Sequence, residues 1–245
     1  MKNMSKTAII YAILAAALYA INIPLSKLLL NHIPPTLMAG FLYLGAGIGM
    51  FLLSIIHKEN DETQKLTKAE LPYTLGMIVL DIAAPIFLMF GLTMTNSANA
   101  SLLNNFEIVA TSIIALVCFK EIISPKLWTA ILFITVSTII LSFEDMSAFA
   151  FSKGSLLILC ACVCWGFENN CTRKLSSKSS TEIVVLKGLF SGMGSLIIGL
   201  VTKESLPNIK FILVTLLLGF ISYGLSIKFY IMAQKYLGAA KTSAY

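Results

Sequence analysis

The chain alternates long apolar runs with short polar connections. Apolar runs of about 20 residues, the length that crosses the hydrocarbon core of a bilayer, predict eight complete transmembrane helices at 7–29, 34–56, 71–92, 97–119, 126–143, 154–173, 183–202 and 210–234. A ninth run begins near residue 239 and reaches the last residue, Tyr245. Backbone groups in lipid must be paired internally, and these runs show no polar alternation, so helices are expected rather than a β-barrel.

The composition agrees with a lipid environment. Hydrophobic residues make up 57% of the 245 residues and charged residues 12%, about half the charged share of an ordinary globular protein. The net charge of +6 does not indicate nucleic-acid binding, because the basic residues form no patch with aromatics. Most Lys and Arg residues fall in connections on one side of the predicted membrane, so the N-terminus and the polar connection 58–70 are expected in the cytoplasm.

A weak internal repeat divides the chain. LYAINIPLSKL at 18–28 aligns with WGFENNCTRKL at 165–175, and YLGAG at 43–47 aligns at the same shift with FSGMG at 190–194. The first unit contains five predicted helices, an odd number, so the second unit crosses the membrane in the opposite sense. Such inverted repeats are a recurrent plan of secondary transporters, whose solute site lies near mid-membrane between the halves.

We therefore expect an all-α membrane protein, an inverted repeat of two five-helix transmembrane units, with the units at 1–145 and 150–245. In this alignment Tyr245 pairs with Leu102, whereas the first unit continues to about Phe143. Roughly 40 residues of the first unit thus lack a partner in this ten-helix plan. The expectation is that the chain is a truncated form with eight full helices and the start of a ninth.

The segment 96–141, NSANASLLNNFEIVATSIIALVCFKEIISPKLWTAILFITVSTIIL, resembles the EamA family of the drug/metabolite transporter superfamily. The resemblance rests on small residues before a Leu-Leu pair, then an acidic step, Ser-Pro and an aromatic residue: Ala100 to Leu103, Glu107 to Val109, Lys120-Glu121, Ser124-Pro125 and Trp128. The sequence departs from the family at Ile108, commonly Pro, and at Lys120, commonly Gly. The resemblance implies a ten-helix fold that moves a small organic solute, an amino-acid-like metabolite or a drug.

Polar and charged residues inside the predicted spans are the candidates for a solute or proton pathway. They are Asn22, Asp81, Asn104, Glu107, Trp165, Glu168 and Lys228. Glu107 lies about ten residues into its span, or about 15 Å deep. A carboxylate at a helix centre costs about 2.5–3.5 kcal/mol to insert, which favours a position facing a cavity. Asp81 stands four residues before Pro85, which leaves the Asp81 carbonyl without its helical partner.

Each candidate also has a structural interpretation that the sequence leaves open. Glu107 could bond backbone amides, and Asp81 could repair the helix beside Pro85. Glu168 could pair with a lysine, Lys187 or Lys228, as an inner gate, or both lysines could extend to the membrane surface. Asn22 and Asn104 could join helices through amide hydrogen bonds, and Trp165 could fill the core.

The function expected from these patterns is a secondary transporter in the cell membrane, with proton coupling as an option. A passive channel or structural membrane protein is the alternative, and a lipid-modifying enzyme a weaker one. No P-loop is present, so ATP hydrolysis of that kind is not expected. We do not expect an enzyme, because His32 and His57 fall on opposite sides of the predicted membrane and cannot act together. The cysteines form no CxxC motif, so no metal or cofactor is expected. The expected partners are a small solute and the bilayer; monomer and dimer are both open.

Overall fold

The computed structural model describes residues 2–56, 66–145 and 150–245, which are almost entirely helical. In chain order the helices are α1 (Lys2–Ala20), α2 (Asn22–Leu29), α3 (Pro35–Ile56), α4 (Leu71–Met94), α5 (Ser97–Asn104), α6 (Phe106–Phe119), α7 (Pro125–Ser142), α8 (Lys153–Leu175), α9 (Ser180–Leu186), α10 (Gly192–Val201), α11 (Ile209–Gly219), α12 (Ser226–Leu237) and α13 (Ala239–Ser243). A 3₁₀ turn, Lys68–Glu70, precedes α4.

Within the described ranges, seven helical stretches are long and apolar enough to cross a bilayer. They are Lys6–Leu29, Pro35–Ile56, Lys68–Met94, Ser97–Phe119, Lys153–Leu175, Ser180–Val201 and Ile209–Leu237. Each matches a predicted span closely, so the prediction of a multi-pass helical membrane protein is confirmed. The remaining predicted span, 126–143, is α7, whose apolar part, Pro125–Ile140, is shorter than the seven. The ten-helix inverted-repeat plan stays a prediction.

A small β-ribbon interrupts the otherwise helical chain. Strands β1 (Phe143–Asp145) and β2 (Ala150–Phe151) pair antiparallel, with Phe143 opposite Phe151. The sequence pattern predicted only helices and did not anticipate this ribbon, which lies at the expected junction of the two units. Residues 146–149 of that junction are outside the described residues, as are His57 and residues 58–65 of the predicted cytoplasmic connection.

Two of the spans are interrupted by a break between helices. The first span is interrupted at Ile21, between α1 and α2, and the fourth at Asn105, between α5 and α6. Pro24 is tolerated because it lies in the first turn of α2, where its missing N–H would have no helical partner. Pro85 lies inside α4, which continues through it.

Two further spans change their helical register instead of breaking. Lys187–Ser191, between α9 and α10, and Phe220–Leu225, between α11 and α12, are π-helical turns. A π-helical turn adds one residue to a helix and is often found at functional sites. Both turns contribute residues to the protein's central cavity, described below.

The packing joins the two predicted units closely. Helix α4 packs along α8, α1 packs along α12, and α6 packs on α8. Helix α3 is surrounded by elements of the second unit, namely α9 to α11 and both π-helical turns. The main buried apolar cluster therefore contains residues of both units, including Met38, Leu88, Ile158 and Leu218.

Glycines allow α3 to contact its neighbours through the backbone. A Cβ atom built on Gly45 would lie 2.1 Å from the Leu216 carbonyl oxygen, and one on Gly219 would lie 2.0 Å from the Leu42 carbonyl oxygen. Neither distance leaves room for any side chain. Gly45 and Gly219 thus allow close helix packing between the two predicted units.

Candidate functional site

A cavity of about 550 Å³ lies between the two predicted units. Its volume falls within the range typical of small-molecule sites. Its walls are formed by both π-helical turns and by helices α1 to α6, α8, α12 and α13. The polar and aromatic residues of the wall include Tyr19, Tyr43, Asp81, Asn104, Glu107, Trp165, Glu168, Asn169, Lys187, Tyr223 and Tyr230.

A buried ionic cluster forms one part of the wall. Lys187 Nζ lies 2.7 Å from Glu168 Oε1 and 3.2 Å from Asp81 Oδ2. The three residues come from three different spans, and each is at most 3% exposed. Because a lone charge is costly to bury, the lysine and the two carboxylates stabilise one another in this position.

Neutral donors complete the cluster. Tyr43 Oη donates a hydrogen bond of 2.7 Å to Asp81 Oδ1. Thr172, one turn beyond Glu168 on α8, donates its hydroxyl to Glu168 Oε1. Thr172 and Glu168 are four residues apart and therefore lie on the same face of α8, whereas Tyr43 reaches Asp81 from α3. The cluster is therefore held from α3, α4, α8 and the first π-helical turn together.

Glu107 is a separate carboxylate on the cavity wall. It accepts a hydrogen bond of 2.7 Å from Asn169 Nδ2, and the same amide nitrogen lies 3.2 Å from Thr111 Oγ1. Glu107 is in the first turn of α6, immediately after the break at Asn105. The positive end of the helix dipole stabilises a carboxylate there, so the break gives a physical reason for an acidic residue at this depth.

Aromatic rings line the wall beside these charges. Tyr19 meets Trp165 edge-on with ring centroids 6.4 Å apart, and meets Tyr223 with centroids 5.7 Å apart. Tyr223 in turn contacts Tyr43 at 4.9 Å. The four rings form a continuous row, which we call the aromatic wall. It runs from Trp165 to the tyrosine that bonds Asp81.

The structure brings five of the seven predicted site residues to the cavity: Asp81, Asn104, Glu107, Trp165 and Glu168. Asn22 lies one side chain away, fully buried, and donates to Tyr223 Oη at 3.2 Å while accepting from Ser26 Oγ. Lys228 is half-buried on α12 and is not among the described residues that line the cavity. Of the two lysines considered as partners of Glu168, Lys187 makes the contact.

Sequence reasoning missed several lining residues. Asn169 was not among the seven predicted site residues, although it is the donor to Glu107. Tyr19, Tyr43 and Tyr223 were not singled out. A usable signal existed for α8, because Trp165, Glu168 and Asn169 follow the i, i+3, i+4 spacing of one helix face. No comparable local signal marks tyrosines from three different spans.

The chemistry of the site is that of a polar pocket with charged walls. Among the described residues, no group of three or more His, Cys, Asp or Glu side chains is arranged to hold a metal ion. The donors and acceptors present suit recognition of a polar organic group, with the aromatic wall suited to an apolar or cationic body.

Comparison with known proteins gives two further findings. A protein of Methanothermobacter thermautotrophicus described as an uncharacterized transporter is 23% identical over 201 residues. The match covers 76% of this chain and 58% of the relative, so the chain spans less than two thirds of that protein's length. A crystal structure of a protein with 15% identity superposes with a TM-score of 0.73, covering 98% of this chain and 84% of the other. At that identity the superposition supports the fold alone.

The sequence model of the EamA-like transporter family matches this chain in two segments, residues 6–143 and 152–245. Together the segments cover nearly the whole chain and adjoin the β-ribbon. The resemblance expected from segment 96–141 is confirmed, and the chain belongs to the EamA-like transporter family.

Proposed function

We propose that the protein is a secondary transporter that moves a small organic solute across the cytoplasmic membrane by alternating access. The observation that carries the proposal is the cavity between the two units, with the Asp81–Lys187–Glu168 cluster and Glu107 in its walls. Charged residues at this depth are costly in lipid and are characteristic of solute or ion pathways. Family membership and the transporter name of the relative favour transport over enzymatic activity.

Two packed units with a polar seam suit alternating access. In the proposed plan the units at 1–145 and 150–245 are inverted repeats of a ten-helix architecture, and the N-terminus is cytoplasmic. Solute would bind at the seam while one unit moves against the other. The glycine-mediated contacts of α3 support this motion, because backbone-to-backbone surfaces can slide with little side-chain interlocking.

The buried ionic cluster provides the proposed gate. Lys187 is shared between Asp81 from the first unit and Glu168 from the second, so the contact bridges the two units. A solute charge that replaces one member of the cluster would weaken this bridge. Binding would then favour the conformation in which the units separate, which is the differential affinity that alternating access requires.

Coupling to protons is part of the proposal as an option. Glu107, Glu168 and Asp81 are the described carboxylates that line the cavity, and a carboxylate on the solute path can bind a proton in one conformation and release it in another. The solutes proposed are amino-acid-like metabolites and drugs. This range follows from the family and from the mixed polar and aromatic lining.

Reconstitution into proteoliposomes tests the proposal. Purified protein is assayed for uptake of radiolabelled amino acids and amines, with and without an imposed pH gradient. Saturable uptake that shows exchange with internal solute is expected, and the pH gradient should change its rate if protons are coupled. Uptake linear in solute concentration would instead indicate a channel, and no flux with any solute would contradict transport.

Matched lysine variants tie the flux to the cavity. Lys187→Met should reduce uptake at least about tenfold, as expected when a charge-assisted contact of the transport cycle is lost. Lys210→Met is the control, because Lys210 is exposed at the start of α11 and away from the cavity. Equal uptake by the two variants would show that Lys187 in the cavity wall is not needed for transport.

A further inference from the structure

The charges on the cavity wall do not balance. Among the described side chains that line it, three are carboxylates, Asp81, Glu107 and Glu168, and one is a cation, Lys187. Lys187 is engaged by Asp81 and Glu168 at 3.2 and 2.7 Å. Those two carboxylates also receive hydrogen bonds from Tyr43 and Thr172. The ionic cluster is thus largely satisfied within the protein.

Glu107 has a different environment. It receives an amide hydrogen bond from Asn169, whereas Lys187, the cation of the cavity wall, is paired with Glu168 and Asp81. Two positive charges act on Glu107. Lys187 is already engaged by the other two carboxylates, and the partial charge at the start of α6 offsets only part of a full charge. A carboxylate in this position retains the capacity to accept a charged donor.

The aromatic wall adds an independent observation. Asn169, which bonds Glu107, lies one turn along α8 from Trp165, so Glu107 and the wall occupy neighbouring parts of the cavity. The Tyr19 hydroxyl is buried beside Tyr223, and the Tyr230 hydroxyl is buried beside Gln234 and Ser243. Both tyrosines line the cavity, so each adds an aromatic ring and a hydroxyl group to its wall.

From this arrangement, and resting on the proposed transport function, we infer that the cavity selects solutes with a positively charged amine on an apolar or aromatic body. The ammonium group would donate to Glu107, and the body would lie against Trp165 and Tyr19. Aromatic ring faces attract cations as well as apolar groups. A solute whose sole charge is negative would face the excess of carboxylates, so anions are disfavoured.

The test compares three probes with one shared body: 2-phenylethylamine, which is cationic, 2-phenylethanol, which is neutral, and 3-phenylpropionate, which is anionic. The chain has two tryptophans, and Trp128 is 46% exposed on α7. Trp128→Phe therefore leaves Trp165 as the sole indole, and its fluorescence reports binding in the cavity. Detergent-purified protein is titrated with each probe.

The expected result is that the amine binds at least about tenfold more tightly than the propionate, with the alcohol between them, as one charge-assisted hydrogen bond would produce. Equal affinities for amine and propionate, tighter binding of the propionate, or no binding of the amine would overturn the inference. This comparison uses an unaltered cavity, so it does not depend on a variant that folds poorly.

Two carboxylate variants then locate the charge. In the Trp128→Phe background, Glu107→Gln should weaken binding of the amine about tenfold and leave the alcohol unchanged. Glu121→Gln removes a carboxylate that follows α6 outside the cavity and should change neither. Loss of amine affinity in both variants, or in neither, would contradict the assignment to Glu107.

Flux measured on the same preparation separates this inference from the proposed function. Amine binding without amine flux would overturn transport of the amine and leave the selection of cations standing. Saturable flux of other solutes together with amine affinity no better than that of the propionate would overturn the selection of cations and leave transport standing.

Discussion

Lys187 Nζ lies 2.7 Å from Glu168 Oε1, in a contact between two helices that meet deep inside the bundle. Both side chains are at most 4% exposed, and Asp81 approaches the same ammonium group from a third helix. The lysine is therefore a central structural element of the cavity as well as its cationic member. This dual position makes the stability of the protein sensitive to each member of the cluster.

Lys187→Met should destabilise the protein by about 3–5 kcal/mol, because it leaves two buried carboxylates without their cation. The measurement is thermal melting of purified protein in detergent. The triple variant Asp81→Asn, Glu168→Gln, Lys187→Met removes all three charges and should recover much of the lost stability. If the single variant melts like the wild type, the ionic cluster does not contribute as described.

Gly219→Ala should destabilise the protein by about 1–3 kcal/mol or more, since the added carbon would clash with a backbone oxygen. A Cβ atom at Gly219 would lie 2.0 Å from the Leu42 carbonyl oxygen, and backbone cannot easily move away. Gly76→Ala is the matched control, because the nearest atom to its new carbon is Cys171 Sγ at 3.3 Å. The control should be neutral or stabilising by up to about 1 kcal/mol from helix propensity.

A second ion pair joins the predicted units near the membrane surface. Lys178 Nζ, between α8 and α9, lies 3.1 Å from Glu70 Oε1, in the turn before α4. A double-mutant cycle with Glu70→Gln and Lys178→Met should give a small, favourable coupling energy, because exposed ion pairs are screened by water. Exchanging the two charges, Glu70→Lys with Lys178→Glu, should restore most of the coupling. A coupling energy of zero would remove this pair from the interface between the units.

The proposed topology predicts where reporter tags appear. A tag inserted after Leu175, at the end of α8, should lie on the same side of the membrane as the N-terminus, in the cytoplasm. A tag inserted after Phe143 should lie on the opposite side, because α8 separates the two positions. Labelling of each inserted tag with a reagent that does not cross membranes shows on which side the tag lies. Both tags on one side would contradict the inverted arrangement.

Much of the fold could be predicted from sequence because lipid imposes a single strong requirement on each span. Helices from Pro35 to Ile56 and from Lys153 to Leu175 begin and end close to the predicted bounds, where polar connections resume. Hydropathy does not report hydrogen-bond register. The π-helical turns at Lys187–Ser191 and Phe220–Leu225 were therefore not anticipated, nor was the β-ribbon that follows α7.

The site was only partly predictable for a related physical reason. A charge in a span has a large insertion cost, so Asp81, Glu107 and Glu168 could be selected one at a time. Which lysine approaches Glu168 depends on the rotation and packing of helices, and sequence spacing treated Lys187 and Lys228 alike. The tyrosines of the aromatic wall carry no distinguishing signal in the sequence, because only the packing of the helices brings them to one cavity.

Lys187 lies where the sixth of the seven apolar spans changes from α-helical to π-helical hydrogen bonding. An α-helix advances about 100° per residue, so converting the π-helical turn to regular α-helix would swing one flanking segment about its axis relative to the other. Lys187 is the first residue of that turn. Such a change of local pitch, without any unfolding of the span, would move the ammonium group relative to Asp81 and Glu168.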